Sequence, residues 1–252
     1  MYKILFLGSK PIGYHCLSFL IDLQKKSKLV IAGVLTNDNT RFGENYSVRK
    51  LSIDSNIPVI DDLNHILKLD DIDFIISVQY HLILKQKHIS IAKKMAINLH
   101  MAPLPELRGC NQFSFAILND YKEFGTTIHR LEEGIDSGDI IFENRFPIPD
   151  NCSVKELYDL TFDKSIGLFE EKIMDIFKGD YQLIPQSTLL KQRTASIHYR
   201  KDISRLKVID LDSDKGQIVK QVRATAMPGF EPPYAIVEGK KIYLIPEDLY
   251  NK

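Results

Sequence analysis

Tryptophan is absent from the sequence, cysteine occurs only three times, and no run of about 18 apolar residues is present. Cys16, Cys110 and Cys152 are widely and irregularly spaced, which argues against a disulfide framework or a zinc site and favours small apolar fillers. The first residues also lack the basic region and cleavage site of a signal peptide. We therefore expect a cytoplasmic protein without a membrane partner.

An excess of charge is missing as well, because 33 Lys and Arg balance 33 Asp and Glu among the 252 residues. Proteins that bind nucleic acid mainly through phosphate contacts usually carry a basic excess, so no nucleic-acid partner is expected. Hydrophobic residues make up 44% and charged residues 26% of the chain. This composition is typical of globular proteins and argues against disorder.

The chain has no dinucleotide-binding fingerprint. Gly8-Ser-Lys-Pro-Ile-Gly13 stands between a first strand and a first helix but fits neither Gly-x-Gly-x-x-Gly nor the nucleoside triphosphate loop, which weakens the hypothesis of a nicotinamide oxidoreductase. Ser9 and Lys10 still stand at a helix start that could meet a substrate phosphate, and a plain strand-to-helix turn explains them equally well. The segment from Asp210 to Gly216 lacks the glycine and glutamate of a calcium loop, so no metal is expected.

Short apolar runs alternate with helical segments in the first half of the chain. The β-type runs are Tyr2–Gly8, Leu29–Thr36, Ile57–Ile60, Asp73–Val78 and Met95–Leu99. This alternation predicts an α/β fold with a Rossmann-like, doubly wound and mostly parallel sheet.

The second half has a different texture. Gly125–Leu131 and Asp139–Ile148 predict an antiparallel pair, and the capping box of Ser153 and Glu156 predicts one long helix ending near Gly179. Two short runs near the end, Ala235–Val237 and Lys241–Ile245, predict a small β-hairpin. We expect a first domain over residues 1–184 and a small C-terminal β-rich unit over residues 185–252.

Three polar residues suggest chemistry. Asn98 and His100 are two residues apart at the end of a β run, so their side chains leave the same face of the strand. An amide can stabilise a developing oxyanion, and an imidazole can take a proton from an attacking amine. Asp136, in a glycine-flanked turn, is the best candidate to orient the imidazole and stabilise its cation. Taken alone, residues of these types are more often a capped strand end and an ordinary Asx turn than a catalytic site.

Two motifs in this order resemble those of the 10-formyltetrahydrofolate-dependent formyltransferase family. The first is Asn98-Leu-His100 followed by Pro103-Leu-Pro-Glu-Leu-Arg-Gly109, and the second is Gly134-Ile-Asp136-Ser-Gly-Asp139. The resemblance spans roughly residues 1 to 180. It implies that Asn98, His100 and Asp136 are the catalytic residues and that 10-formyltetrahydrofolate is the formyl donor.

Within this family, several segments are similar to the sugar N-formyltransferases. These segments are Ser77–Leu84, His100–Ile117 and Met227–Tyr234. The resemblance implies a nucleotide-linked 4-amino-4,6-dideoxy sugar as acceptor, with dTDP-4-amino-4,6-dideoxyglucose the favoured one, in O-antigen or surface-glycan synthesis. It also implies a homodimer formed through the C-terminal hairpin, whose exposed edge invites pairing.

The resemblance further implies which residues meet the ligands. The folate pocket would be lined, largely through backbone groups, by Gln79, Tyr80, His81, Ile83 and Leu84 and closed by Asp139. The substrate would be met by Ser9, Lys10, Met101, Asn111, Gln112, Phe230 and Tyr234. His81 is also explained as a plain loop residue, and Phe230 and Tyr234 either stack on the nucleotide base or pack in a core or dimer contact.

Two alternatives to a sugar N-formyltransferase stay open. One is methionyl-tRNA formyl transfer, for which the family resemblance leads us to expect a larger and more basic C-terminal barrel than this balanced chain offers. The other is a module that binds folate or a sugar nucleotide without catalysis, which is disfavoured because competent residues fill all three reactive positions.

Overall fold

A six-stranded sheet forms the centre of the protein in a computed structural model that describes residues 1–27, 29–37 and 44–250. The strands of this sheet are β1 (Tyr2–Gly8), β2 (Leu29–Leu35), β3 (Phe74–Val78), β4 (Met95–His100), β6 (Glu123–Arg130) and β7 (Ile140–Pro147). Their spatial order is β2-β1-β3-β4-β6-β7, in which the first four strands are parallel and β6 and β7 are antiparallel to their neighbours. The predicted mostly parallel α/β sheet is confirmed.

Both faces of the sheet are covered, as a doubly wound fold requires. Ile4 and Phe6 of β1 are fully buried against the helices on one face, and the alternate residues Leu5 and Leu7 are fully buried on the other. The larger core lies under the two longest helices, α1 (Lys10–Lys26) and α5 (Val154–Lys178). Residues 4–7 of β1 therefore form a continuous apolar run.

The predicted long helix is present with both of its caps. The hydroxyl of Ser153 accepts a hydrogen bond from the Glu156 N–H at 3.2 Å, and the Glu156 carboxylate accepts one from the Ser153 N–H at 2.8 Å. The helix stops at Gly179, whose φ of 80° is left-handed. The predicted run Ile57–Ile60 makes only a single bridge, between Val59 and Val34, because Pro58 has no N–H with which to extend a ladder.

Shorter elements complete the chain. They are α2 (Val48–Asp54), α3 (Gln86–Ile89), β5 (Arg108–Gly109), α4 (Gln112–Leu118), α6 (Gln186–Leu189), β8 (Ile197–His198), α7 (Asp202–Leu206), α8 (Lys215–Thr225), β9 (Tyr234–Val237), β10 (Lys240–Tyr243) and α9 (Glu247–Tyr250), with 3₁₀ turns at Glu44–Tyr46 and Leu63–Lys68. Among the residues described, no helix is long and apolar enough to cross a membrane.

The predicted C-terminal hairpin is also present. β9 and β10 are antiparallel and are joined by Glu238 and Gly239, which both have positive φ, as the tightest hairpin turns require. Another part of the C-terminal segment packs against the loop that follows β4, because β8 pairs in parallel with β5. This pairing brings residues of the C-terminal segment beside the site described below.

Candidate active site

Strand register places Asn98, His100 and His129 on one face of the sheet. Ile97 and Leu99 are buried in the core under α1 and α5, so the alternate residues Asn98 and His100 point to the opposite face. In the antiparallel pairing of β4 with β6, Asn98 lies directly opposite His129. The Asn98 amide nitrogen is 3.2 Å from the His129 Nε2, while the His129 Nδ1 is 2.9 Å from the Arg130 carbonyl oxygen.

Asp136 joins the two imidazoles. It lies in the turn between β6 and β7, with its Oδ2 3.6 Å from the His100 Nδ1 and its Oδ1 3.4 Å from the His129 Nε2. The His100 ring is 5% exposed and the Asp136 side chain 17% exposed. We call Asn98, His100, His129 and Asp136 the polar cluster.

The charge of Asp136 is favoured by its surroundings. Burial opposes its ionisation, but the adjacent imidazoles of His100 and His129 and a hydrogen bond from the Gly109 N–H outweigh burial and hold the carboxyl pKa well below its ordinary value. Asp136 is therefore a carboxylate at neutral pH, placed to stabilise a proton taken up by an imidazole.

The loop after β4 determines which ring nitrogen of His100 carries the proton. The His100 Nε2 lies 2.8 Å from the carbonyl oxygen of Leu107, which can only accept a hydrogen bond, so this nitrogen carries the proton. The other nitrogen, Nδ1, is left as the basic atom and faces Asp136. The Leu107 carbonyl therefore fixes the tautomer, and Asp136, which the sequence suggests as the partner of this imidazole, faces the nitrogen that would gain a proton.

Gly109, in the same loop, allows a close approach that no other residue could make. Its φ is 87°, and a Cβ added there would lie 2.2 Å from the carbonyl oxygen of His198. The Gly109 N–H donates a hydrogen bond of 2.9 Å to Asp136 Oδ2. A glycine is thus required where the pairing of β5 with β8 meets the turn that carries Asp136.

The residues assigned to the folate pocket follow the carboxyl end of β3. Gln79 has a left-handed φ of 53°, Tyr80 is half-buried with its ring against His81, and Ile83 is exposed. The Leu84 side chain is buried in the core, so only its backbone is available to a ligand. Burial, followed by the charge of Arg200, lowers the pKa of His81 below its ordinary value.

Two cationic side chains, Lys10 and Arg200, lie near the same edge of the sheet. The Lys10 ammonium donates a 2.8 Å hydrogen bond to the Gln79 side-chain oxygen, and its pKa is lowered by loss of surrounding water and then by the nearby charge of Arg200. Among the described residues, neither Lys10 nor Arg200 is paired with a carboxylate. Ser9 is buried at the start of α1, where its hydroxyl contacts Asn37 at 3.3 Å.

The remaining assigned residues have different environments. Asn111 has a left-handed φ of 60°, and its side-chain N–H donates to the Tyr199 carbonyl at 2.8 Å, while Gln112 is buried as the first residue of α4. Met101 is 1% exposed within the core under α1 and α5, so its side chain is not available to a substrate. Asp139 pairs with the Arg130 guanidinium at 3.3 Å, at the end of the turn that carries Asp136.

The two aromatic residues of the C-terminal unit are both at least partly exposed. Phe230 is 45% exposed. Tyr234 lies on β9, its ring 6.1 Å from that of Tyr243 and under the Lys241 ammonium at 4.0 Å. The stacking of Phe230 or Tyr234 on a nucleotide base stays a prediction.

Sequence reasoning did not find three residues of this site. His129 shares the period of two with Thr127 on β6, but only the strand register shows that it faces Asn98. Arg200 and Gln186 are distant in sequence and meet the site through the C-terminal segment. Over the part of the chain that the structure describes, no group of three or more His, Cys, Asp or Glu could hold a metal ion.

Comparison with known proteins gives consistent results. Residues 2–172 match the model of the formyl transferase family. The GDP-perosamine N-formyltransferase of Brucella melitensis is 29% identical over 181 residues, which are 72% of this chain and 67% of that protein. The methionyl-tRNA formyltransferase of Clostridium beijerinckii is 30% identical over 225 residues, 81% of this chain and 71% of that protein.

A solved structure also resembles most of the chain. The N-formyltransferase of Helicobacter canadensis, in complex with folinic acid and dTDP-3-aminofucose, superimposes with a TM-score of 0.78 at 25% identity. The match covers 96% of this chain and 86% of the other. The similarity thus extends beyond the sheet into the C-terminal segment.

Proposed function

Because this chain belongs to the formyl transferase family, we propose that it moves a formyl group from 10-formyltetrahydrofolate to the amine of a nucleotide-linked amino sugar. The observation that carries the proposal is the polar cluster, in which an amide, two imidazoles and one carboxylate meet at the end of a sheet strand. The similarity to a structure that holds folinic acid and a dTDP-amino sugar supports both classes of ligand.

The unprotonated amine attacks the formyl carbon, which becomes tetrahedral and carries an oxyanion. One N–H of the Asn98 amide faces His129, and the second N–H is free among the described residues to hold the oxyanion. The Asn98 side chain is more exposed than the His100 side chain, so the amine approaches from the side of Asn98. The carbon–nitrogen bond to the folate then breaks and leaves the formyl group on the sugar nitrogen.

His100 moves the proton that this exchange requires. Its Nδ1 takes the proton that the attacking amine loses, and the imidazolium that forms faces the Asp136 carboxylate at 3.6 Å. The same proton then passes to the folate nitrogen as it leaves, so the residue ends in its starting state. The Leu107 carbonyl keeps Nε2 protonated throughout.

Lys10 and Arg200 supply the charge for a nucleotide diphosphate. Both side chains are cations without carboxylate partners in the described part of the chain, and Arg200 is close enough to lower the pKa of Lys10. An anion between them would relieve their repulsion. We propose that Lys10 and Arg200 bind the phosphates, with Ser9, Asn111 and Gln112 around them and Phe230 or Tyr234 against the base.

As acceptor we propose dTDP-4-amino-4,6-dideoxyglucose, formylated for O-antigen or another surface glycan. The experiment is a panel in which the purified chain receives 10-formyltetrahydrofolate with dTDP-, GDP- and UDP-linked 3-amino and 4-amino sugars, and the formylated product is identified by mass spectrometry. We expect the dTDP-4-amino sugar to react fastest. A preference for a 3-amino sugar or for another nucleotide corrects the acceptor, and no reaction with any sugar contradicts the proposal.

Methionyl-tRNA is the second candidate acceptor, because the similarity to the Clostridium beijerinckii enzyme reaches 30% identity over 81% of this chain. Binding tRNA depends on phosphate contacts and usually on a basic surface, whereas this chain has equal numbers of acidic and basic residues. Adding charged initiator tRNA to the same panel separates the candidates. Formylation of the tRNA without any sugar reaction would favour the second.

A further inference from the structure

We propose that Gln186 is a positioning residue that holds the turn carrying Asp136 in its catalytic conformation, an inference that rests on the proposed function. Gln186 is the first residue of α6 and is 3% exposed. It lies outside the segment 2–172 that matches the family model. Its contacts nevertheless connect the C-terminal segment to the catalytic carboxylate.

The carboxamide of Gln186 uses its whole hydrogen-bonding capacity. Its Nε2 donates to the carbonyl oxygens of Asp136 at 2.8 Å and Gly138 at 2.7 Å. Its Oε1 accepts from the Arg108 Nε at 3.0 Å and Nη2 at 2.7 Å. Two donated and two accepted bonds are all that an amide side chain can make.

The held turn has an unfavourable backbone. Asp136 has a φ of 47°, a left-handed conformation that costs a residue with a Cβ about 1 kcal/mol or more. Gly138 is packed so tightly that a Cβ there would lie 1.9 Å from the Arg130 carbonyl oxygen. Such a conformation persists only where surrounding contacts determine it, and Gln186 binds the carbonyls on both sides of Ser137.

Gln186 and Gly109 form hydrogen bonds to the backbone and to the side chain of Asp136, respectively. Gln186 binds the backbone carbonyl of Asp136, and the Gly109 N–H binds its carboxylate at 2.9 Å. Arg108, which precedes Gly109, is itself bound to Gln186. The bonds therefore form a closed ring from the turn through Gln186 and Arg108 to Gly109 and back to Asp136.

Glutamine can donate two hydrogen bonds and accept two at this position, whereas side chains of similar size cannot. Glutamate would keep the acceptors for Arg108 but would replace the two donors with a negative oxygen facing two carbonyl oxygens. Methionine keeps the length of the side chain and makes none of the four bonds, which leaves buried polar groups without partners. Gln186→Glu and Gln186→Met therefore test the donated bonds in two different ways.

The test measures turnover of Gln186→Met and Gln186→Glu in the wild-type and Asp136→Ala backgrounds. A shift of ~1 Å in a catalytic group can cost ~100-fold, so we expect kcat to fall roughly 10- to 100-fold in the wild-type background with KM for the sugar unchanged. In the Asp136→Ala background we expect a further loss of less than about twofold, because the residue being positioned is gone. Losses of equal proportion in both backgrounds, or none in either, overturn the proposal.

Hydrogen exchange supplies a measurement that does not depend on activity. Backbone amides of residues 134–139 are expected to exchange faster in Gln186→Met than in the wild type, and unchanged exchange contradicts the positioning role. Gln192→Met is the matched control, since Gln192 is an exposed glutamine of the same segment. If Gln186→Met does not fold, the same turnover and exchange measurements on Gln186→Glu test the proposal. Absence of any formyl transfer by the wild type contradicts the proposed function instead.

Discussion

The polar cluster and the C-terminal hairpin differ in which side chains they bury and which they expose. In the cluster, charged and polar groups are withdrawn from water and paired with each other. In the hairpin, Ile236 and Ile242 are more than half exposed although they are apolar. The first arrangement is the one that the proposed reaction uses, and the second is an apolar surface of the kind that another molecule covers. Substitutions in the two regions should therefore affect different measurements.

The largest effects are expected from the two strand residues of the polar cluster. Asn98→Ala removes the oxyanion donor and His100→Asn removes the base, so each should lower kcat by roughly 100- to 1,000-fold. Formyl transfer is measured by tetrahydrofolate release, and folding by circular dichroism. Asn119→Ala and His65→Asn, which change exposed residues of the same types, are the controls. Near-wild-type rates in either cluster variant would contradict the mechanism.

The regions also differ in how far the sequence predicts them. The strands, the long helix and its capping box follow from local patterns, and the period of two by itself predicts that Asn98 and His100 share one face. That period also places Met101 with the core residues Ile97 and Leu99, a signal against its assignment to the substrate.

Contacts between distant segments could not be predicted in this way. His129 is opposite Asn98 because of a register between β4 and β6. Gln186 follows a bridge between Ile184 and Ile140, and Arg200 follows the pairing of β8 with β5. No local pattern states a register or a pairing of segments about 90 residues apart. The glycine-flanked turn makes Asp136 the best candidate from the sequence, but only the family resemblance separates it from an ordinary Asx turn.

Removing the charge of Asp136 should reduce stability in a pH-dependent way. Because the folded-state pKa of Asp136 is held below its ordinary value, ionised Asp136 stabilises the fold above the unfolded pKa of about 3.9, and this contribution is lost as the pH falls through the folded pKa. Asp136→Asn should lower the free energy of unfolding at pH 7 by roughly 1–3 kcal/mol.

Urea denaturation across pH measures this difference. The gap between wild type and Asp136→Asn should not shrink between pH 7 and about pH 5 and should shrink as the pH falls below about 4. Asp150→Asn, an exposed aspartate close in sequence, is the control. A gap that stays the same at acid pH would show that packing rather than charge is responsible.

A smaller and more selective effect is expected from the two cations at the sheet edge. Lys10→Met and Arg200→Met should each raise KM for the nucleotide sugar about tenfold with little change in kcat, because one charge-assisted phosphate contact is lost. Lys178→Met, an exposed lysine of α5, is the control. Added salt should weaken sugar binding to the wild type more than to either variant. A fall in kcat at unchanged KM would place these cations in the reaction itself.

The hairpin should affect assembly while leaving turnover nearly unchanged. Among the described strands β10 pairs only with β9, and Ile242 on β10 is 52% exposed. We predict a homodimer in which this edge is covered, since an exposed apolar edge strand is otherwise prone to pairing. Ile242→Lys places a charge there and should shift the mass measured by light scattering from dimer to monomer. Val219→Lys, which changes an exposed valine of α8, should not. If the wild-type chain is a monomer, the hairpin does not form a dimer interface. Of the two regions compared, only the polar cluster would then have a proposed function.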